Sequence, residues 1–132
     1  MHRNFLLTGA LLGGLAVALG AFGAHGLERI TVDEKIIHSF QTAVQYQLYH
    51  ALALLAVAII YERMPFTAVK WAGNCFIIGI ILFSGSLYAL TAIKVSSIAG
   101  FDKIGLITPV GGLFFIAGWL MLGWGVARIR RL

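Results

Sequence analysis

Four long apolar stretches alternate with short polar ones along the chain. The first, residues 5–24, contains no charged residue, and the others cover about residues 44–61, 68–92 and 109–126. At 1.5 Å per residue, twenty helical residues reach about 30 Å, the thickness of the hydrocarbon core of a membrane. The pattern predicts an all-α fold, an integral membrane four-helix bundle that forms a single transmembrane domain over residues 1–132.

Local signals predict where these helices begin and end. Gly26 follows the first apolar stretch and is typical of a left-handed C-cap, which would put His25 where the helix reaches the interface. The sequence TVDE at 31–34 resembles a capping box, so a second helix should begin there. Pro65 should end that helix. Thr108 followed by Pro109 predicts an N-cap and first helical residue for the fourth span.

The second predicted helix is too long to be a simple span. No glycine or proline interrupts residues 27–64, and residues 32–43 are amphipathic, whereas the following residues are mostly apolar. We interpret 32–43 as an interfacial or protruding segment, continuous or bent, that leads into the second span. The first span has a rival interpretation as a signal peptide, but its apolar stretch exceeds the usual length of about 7 to 15 residues.

Composition and charge support a membrane protein. Of the 132 residues, 60% are hydrophobic and 11% are charged, too few to cover the surface of a soluble domain. The net charge of +5 is distributed unevenly, and this favours membrane topology over nucleic-acid binding. With four spans, one side holds Arg3, Arg63, Lys70, Arg128, Arg130 and Arg131, and the other holds Arg29, Lys35, Lys94 and Lys103. The positive-inside rule then predicts cytoplasmic termini.

Polar residues inside the spans are the candidates for function, because lipid cannot solvate them. Tyr46, Gln47 and His50 lie within one turn of each other on the second helix, and Ser84, Ser86 and Tyr88 lie close together on the third. The topology brings them, with His25, to the outer half of the bundle. Two interpretations stay open: these groups bond helices together, or they form a pocket for a lipid headgroup, a small solute, a proton or a partner.

Small residues recur at helical spacing and predict close helix packing. Gly9, Gly13, Ala16, Gly20 and Ala24 form one stripe on the first helix. Such stripes let two backbones approach closely, within one chain or between chains. The predicted packing positions are Gly9, Gly13, Gly20, Gly85, Gly111 and Gly118, and Gly125 extends the strip on the fourth helix.

Enzyme and cofactor chemistry has little support in the sequence. There is no G-x-S-x-G elbow, and no two histidines stand at H-E-x-x-H spacing. Paired His25 and His50 would suit a haem in principle, since axial ligation asks for facing imidazoles. Cys75 is interpreted as a small buried hydrophobe. We therefore expect no catalytic residue, no metal and no cofactor.

Four separated segments resemble a known family. They are ALGAFGAHGL at 18–27, YQLYHALALL at 46–55, LFSGSLYAL at 82–90 and TPVGGLFFIAGWLML at 108–122. In this order they are similar to the YgdD-like bacterial inner-membrane family, domain of unknown function 423; the charged first connector is the chief departure. The resemblance implies a multi-pass protein of the bacterial inner membrane with no established reaction. It also implies that its signature positions are Gly23, His25, Gln47, His50, Ser84, Ser86, Tyr88, Pro109, Gly111 and Gly112.

The function predicted from these features is that of a multi-pass inner-membrane protein without enzymatic activity. Its polar cluster packs helices or binds a lipid or small ligand. The alternative is a small-solute or proton transporter or channel, although no Asp or Glu lies inside a span. Expected partners are membrane lipids and either a second copy of the chain or another membrane protein.

Overall fold

The computed structural model describes residues 2–128, which form four long helical rods in up-and-down order. The first rod is α1 (Arg3–His25) and the second is α2 (Glu34–Arg63). The third consists of α3 (Thr67–Gly79), a π-helical turn (Ile80–Ser84) and α4 (Gly85–Val95), and the fourth is α5 (Ile107–Ala127). All four are long and apolar enough to cross a membrane, and the described residues contain no strand. The predicted all-α four-helix architecture is confirmed, whereas the exact membrane boundaries stay predictions.

The second rod lies at the centre of the bundle. α1 packs on α2, and α5 packs on α3 and the π turn. In the most apolar window of each helix, 44% of α2 is buried, against 17% for α1 and α5. The main core lies between the rods and contains Phe5, Ala53, Leu54, Val57, Ala58, Val69, Ala72, Phe76, Ile80, Phe115 and Leu122. The outward faces of α1 and α5 are not covered by the other rods.

The second helix is continuous from Glu34 to Arg63 and begins later than the capping-box prediction. Asp33 is its N-cap, and its carboxylate accepts a hydrogen bond from the Lys35 N–H at 2.9 Å. Thr31 acts one step earlier, where its hydroxyl oxygen accepts from the Asp33 N–H at 3.2 Å. Thirty residues reach about 45 Å, longer than a hydrocarbon core of about 30 Å. Residues 34–43, part of the segment predicted to be interfacial or protruding, belong to the same uninterrupted helix as the second span.

The predicted C-cap at Gly26 has the right position but the wrong conformation, and the predicted N-cap at Thr108 is wrong. Gly26 is not left-handed: its φ of −88° and ψ of −45° are right-handed, and the chain continues into a 3-10 turn, Leu27–Arg29. Thr108 is not an N-cap, because a second 3-10 turn, Asp102–Leu106, leads directly into α5 at Ile107. In both places a 3-10 turn adjoins the helix end: the Gly26 carbonyl accepts from the Arg29 N–H, and the Ile104 carbonyl accepts from the Ile107 N–H. The end of α2 before Pro65 is confirmed.

The π-helical turn in the third rod was not predicted. The Gly85 N–H donates to the Ile80 carbonyl, which is the wider spacing of a π turn. Such a turn contains one residue more than an α-helical turn and rotates the residues after it. It contains one candidate polar residue, Ser84, and two others, Ser86 and Tyr88, follow it on α4.

Candidate functional site

Gln47 joins three rods through hydrogen bonds at both ends of its amide. It is 2% exposed. Its Nε2 donates to the Leu12 carbonyl of α1 at 2.9 Å, and its Oε1 accepts from the Tyr88 hydroxyl of α4 at 2.7 Å. The Tyr88 ring also contacts Phe40, with a centroid separation of 5.3 Å. This unit holds α1, α2 and α4 together at one level.

The two candidate serines form separate contacts. Ser84 is fully buried, and its hydroxyl donates to the Ala43 carbonyl of α2 at 2.7 Å. Ser86 is 5% exposed, and its hydroxyl donates to the Phe83 carbonyl at 2.9 Å. The Ser86 hydroxyl is also hydrogen-bonded to the hydroxyl of Thr108 on α5. The π turn places the two serines, two residues apart, against different neighbours.

His50 uses both ring nitrogens within the protein. Its Nδ1 lies 2.7 Å from the Tyr46 carbonyl, and its Nε2 lies 3.1 Å from the Trp119 indole nitrogen. A carbonyl only accepts and an indole N–H only donates, so Nδ1 carries the proton and Nε2 accepts. The ring is stacked on Phe115 at a centroid distance of 3.5 Å and an interplanar angle of 10°. The geometry therefore requires the neutral Nδ1–H tautomer.

The six candidate residues do not meet in one pocket. His25 ends α1 on the exposed surface and is hydrogen-bonded to none of the other five candidates in the described structure. His50 faces α5, whereas Gln47 bonds α1 and α4. Their sequence spacing put Gln47 and His50 on neighbouring positions of α2, but each is paired with a different helix. A haem held between His25 and His50 finds no free nitrogen on His50.

The interior polar side chains of residues 2–128 are satisfied. Every buried side-chain nitrogen and oxygen in this part of the chain has a hydrogen-bond partner. Cavities on the surface of the described residues lie at the start of α2, between α1 and α2 near Gly20, and between α3 and α5 near Trp71. Among the described residues, no group of three or more His, Cys, Asp or Glu side chains is placed to hold a metal ion.

The predicted packing glycines occupy different environments. A Cβ at Gly111 would lie 2.8 Å from Phe83 Cα, and one at Gly118 would lie 2.7 Å from the Phe76 ring. Gly9 and Gly20 approach α2, at 2.8 Å from Leu55 Cδ2 and 3.3 Å from Val44 Cγ1. Added Cβ atoms at two other predicted positions meet little: Gly13 has one neighbour at 4.0 Å and Gly85 has none within 4 Å.

Some side chains that contact the candidate residues were not themselves predicted as candidates. Trp119 bonds His50, Phe115 stacks on it, and Thr108 bonds Ser86. Trp119 is 50% exposed and 69 residues from His50, so no local pattern could pair them. Thr108 was visible as a polar residue beside a span but was interpreted as a helix cap.

The fold and these buried contacts define a multi-pass α-helical membrane protein. Residues 19–112 match the model of a family described as protein of unknown function (DUF423), and the chain belongs to this family. It is 46% identical to a UPF0382 membrane protein of Staphylococcus saprophyticus, over 96% of this chain and 99% of the relative. It is 41% identical to a UPF0382 membrane protein of Haemophilus influenzae over the whole of both chains.

A third relative carries a more specific location in its name. The chain is 37% identical to the UPF0382 inner membrane protein YgdD of Escherichia coli, over 98% of this chain and 93% of the relative. No solved structure matches this chain. The family resemblance inferred from the four sequence segments is confirmed.

Proposed function

We propose that this chain is a non-enzymatic inner-membrane protein whose buried polar residues act as interhelical locks. The observation that carries the proposal is His50, both of whose ring nitrogens are engaged by partners that fix one neutral tautomer. A general base or a metal ligand needs a free nitrogen, and this ring has none. The side chains of Gln47 and Tyr88 are likewise hydrogen-bonded to each other, and Gln47 is also hydrogen-bonded to α1.

The locks connect every rod. Gln47 joins α1, α2 and α4; Ser84 joins the π turn to α2; His50 joins α2 to α5; Ser86 joins α4 to α5. Hydrogen bonds between membrane helices contribute about 0.6 kcal/mol each on average and up to about 1.7. Their shared effect is to fix one helix arrangement in lipid, where apolar side chains alone specify little. The outward faces of α1 and α5 then meet lipid, a second copy or another membrane protein.

Transport of a proton or small solute is the second candidate, and one observation favours it. π turns are frequent at functional sites in helical proteins, and here the turn contains the buried Ser84. A transporter would need these polar groups to exchange partners during a cycle. The locks would then be one state of a moving element.

Liposome flux distinguishes the two candidates. Purified protein in liposomes that enclose a pH-sensitive dye should leave the rate of proton entry at the protein-free level, with and without an imposed potential. A second test compares His50→Leu with the wild type for folding, assembly and rescue of a deletion strain. Under the proposal, His50→Leu rescues the deletion strain if it folds and assembles like the wild type. Proton entry abolished by His50→Leu, or a well-folded variant that fails to rescue, would contradict it.

We also propose that both termini lie in the cytoplasm. Arg3, Arg63, Lys70 and Arg128 lie at one end of the bundle, which we call the basic end. In the sequence this side also has Arg130 and Arg131, which lie outside the described residues, so it carries six Lys and Arg against four at the other end, and this bias supports the orientation.

A further inference from the structure

An apolar groove lies on the outside of the bundle at the basic end. Its walls come from the start of α3 and the end of α5, and its volume is about 330 Å³. This volume is at the lower end of the range of about 300 to 1,000 Å³ for small-molecule sites. It is lined by Thr67, Ala68, Trp71, Leu120, Met121 and Trp124.

The groove combines aromatic walls with a cation at one end. Trp71 and Trp124 are 52% and 64% exposed, and amphipathic indoles of this kind favour the headgroup level of a membrane. Arg128 follows Trp124 by one turn, and its guanidinium carbon lies 5.7 Å from the centre of that ring. Lys70 is exposed on the first turn of α3. Lys70 is not among the residues that line the groove, so Arg128 is the cation that makes one end of the groove positive, and the rest is apolar.

We propose that this groove is a binding site for an anionic phospholipid. One acyl chain lies between Trp71 and Leu120, and the phosphate lies at Arg128. The charge complementarity argues for this occupant. A second copy of the chain would bring a second positive end to the same level, and a soluble anion would leave the apolar walls unused. A cation near an anionic membrane surface contributes about fivefold to binding.

Quenching of tryptophan fluorescence by brominated lipid measures occupancy directly, because two of the three tryptophans line the groove. The full chain is reconstituted in phosphatidylcholine vesicles that contain a small mole fraction of brominated phosphatidylglycerol or, in parallel, brominated phosphatidylcholine. We expect stronger quenching by phosphatidylglycerol at equal bromine content. In Arg128→Gln the affinity for phosphatidylglycerol should be about fivefold lower, and the preference over phosphatidylcholine should fall by the same factor.

Arg3→Gln is the matched control, since it removes one positive charge from the same end. Arg3 begins α1, and the neighbouring Phe5 packs on Gly73, on a different face of α3 from Thr67 and Trp71. This variant should keep the wild-type preference. Ala68→Leu, which narrows the groove but keeps every charge, should lose it. Circular dichroism confirms that each variant is folded.

Three results would overturn the site. Equal quenching by the two brominated lipids in the wild type would mean that the groove does not select an anionic lipid. Equal loss of preference in Arg128→Gln and Arg3→Gln would mean diffuse attraction to the basic end. Relief of the quenching by millimolar glycerol phosphate would mean that the cation binds a soluble phosphate without its acyl chain.

Discussion

Two neighbouring glycines on α5 provide a sharp test of the helix packing. A Cβ at Gly111 would lie 2.8 Å from both Cα and Cβ of Phe83, and closer still to its backbone nitrogen. Ordinary contact begins near 3.4 Å, so the α5 and π-turn backbones must separate by more than half an ångström. A Cβ at Gly112 would meet one atom, Phe83 Cδ2, at 3.9 Å. Alanine fits at Gly112 without movement.

The two alanine substitutions should therefore change stability in opposite directions. Alanine favours a helix over glycine by up to about 1 kcal/mol. Overpacking costs about 1 to 3 kcal/mol, and at Gly111 the obstacle is backbone, which cannot rotate away. We expect Gly111→Ala to lower the free energy of unfolding by about 1 to 2 kcal/mol and Gly112→Ala to raise it by about 0.5 kcal/mol. Reversible unfolding in mixed micelles measures both free energies. Two values within 0.5 kcal/mol of each other would refute this packing argument.

Three further predictions follow from the buried polar groups and the fold. In a double-mutant cycle with Gln47→Leu and Tyr88→Phe, the unfolding free energies should give a coupling of about 0.6 to 1.7 kcal/mol, and a coupling near zero would exclude their hydrogen bond as a lock. In a Cys75→Ser background, Ser97→Cys should react with an impermeant maleimide in intact cells and Arg63→Cys only in opened ones; labelling of both from one side is incompatible with the proposed topology. Native Cys75, 6% exposed, should react with maleimide only after SDS unfolds the wild type, and rapid labelling of the folded protein would contradict its burial.

The sequence predicts the rods well because their signals are local. Hydropathy marks each apolar stretch, and Pro65 marks the turn before α3 without any tertiary information. The helix ends were less predictable, because a 3-10 turn can continue the chain at Gly26 or before Thr108 in place of the predicted cap. The π turn depends on packing between rods, and no residue pattern in Ile80–Ser84 encodes it.

Apart from His25, which is exposed, the candidate residues were predictable as interior polar groups but not as pairs. Periodicity identifies which residues share a face, and it placed Gln47 and His50 side by side on α2. Their partners come from α1, α4 and α5, whose rotation about their axes is set only when the bundle packs. In the sequence, Trp119 looks like an ordinary lipid-facing tryptophan. Half of its surface is indeed exposed, and only its indole N–H reaches His50.

The tautomer of His50 tests the central claim most directly. Protein labelled with ¹⁵N in histidine is reconstituted in lipid bilayers, and a His50→Gln sample assigns the resonance by its loss. The account predicts a protonated Nδ1 and an unprotonated Nε2, with the Nε2 resonance shifted in Trp119→Phe, which lacks the indole donor. A protonated Nε2, or a spectrum that is unchanged in Trp119→Phe, would contradict the interhelical lock.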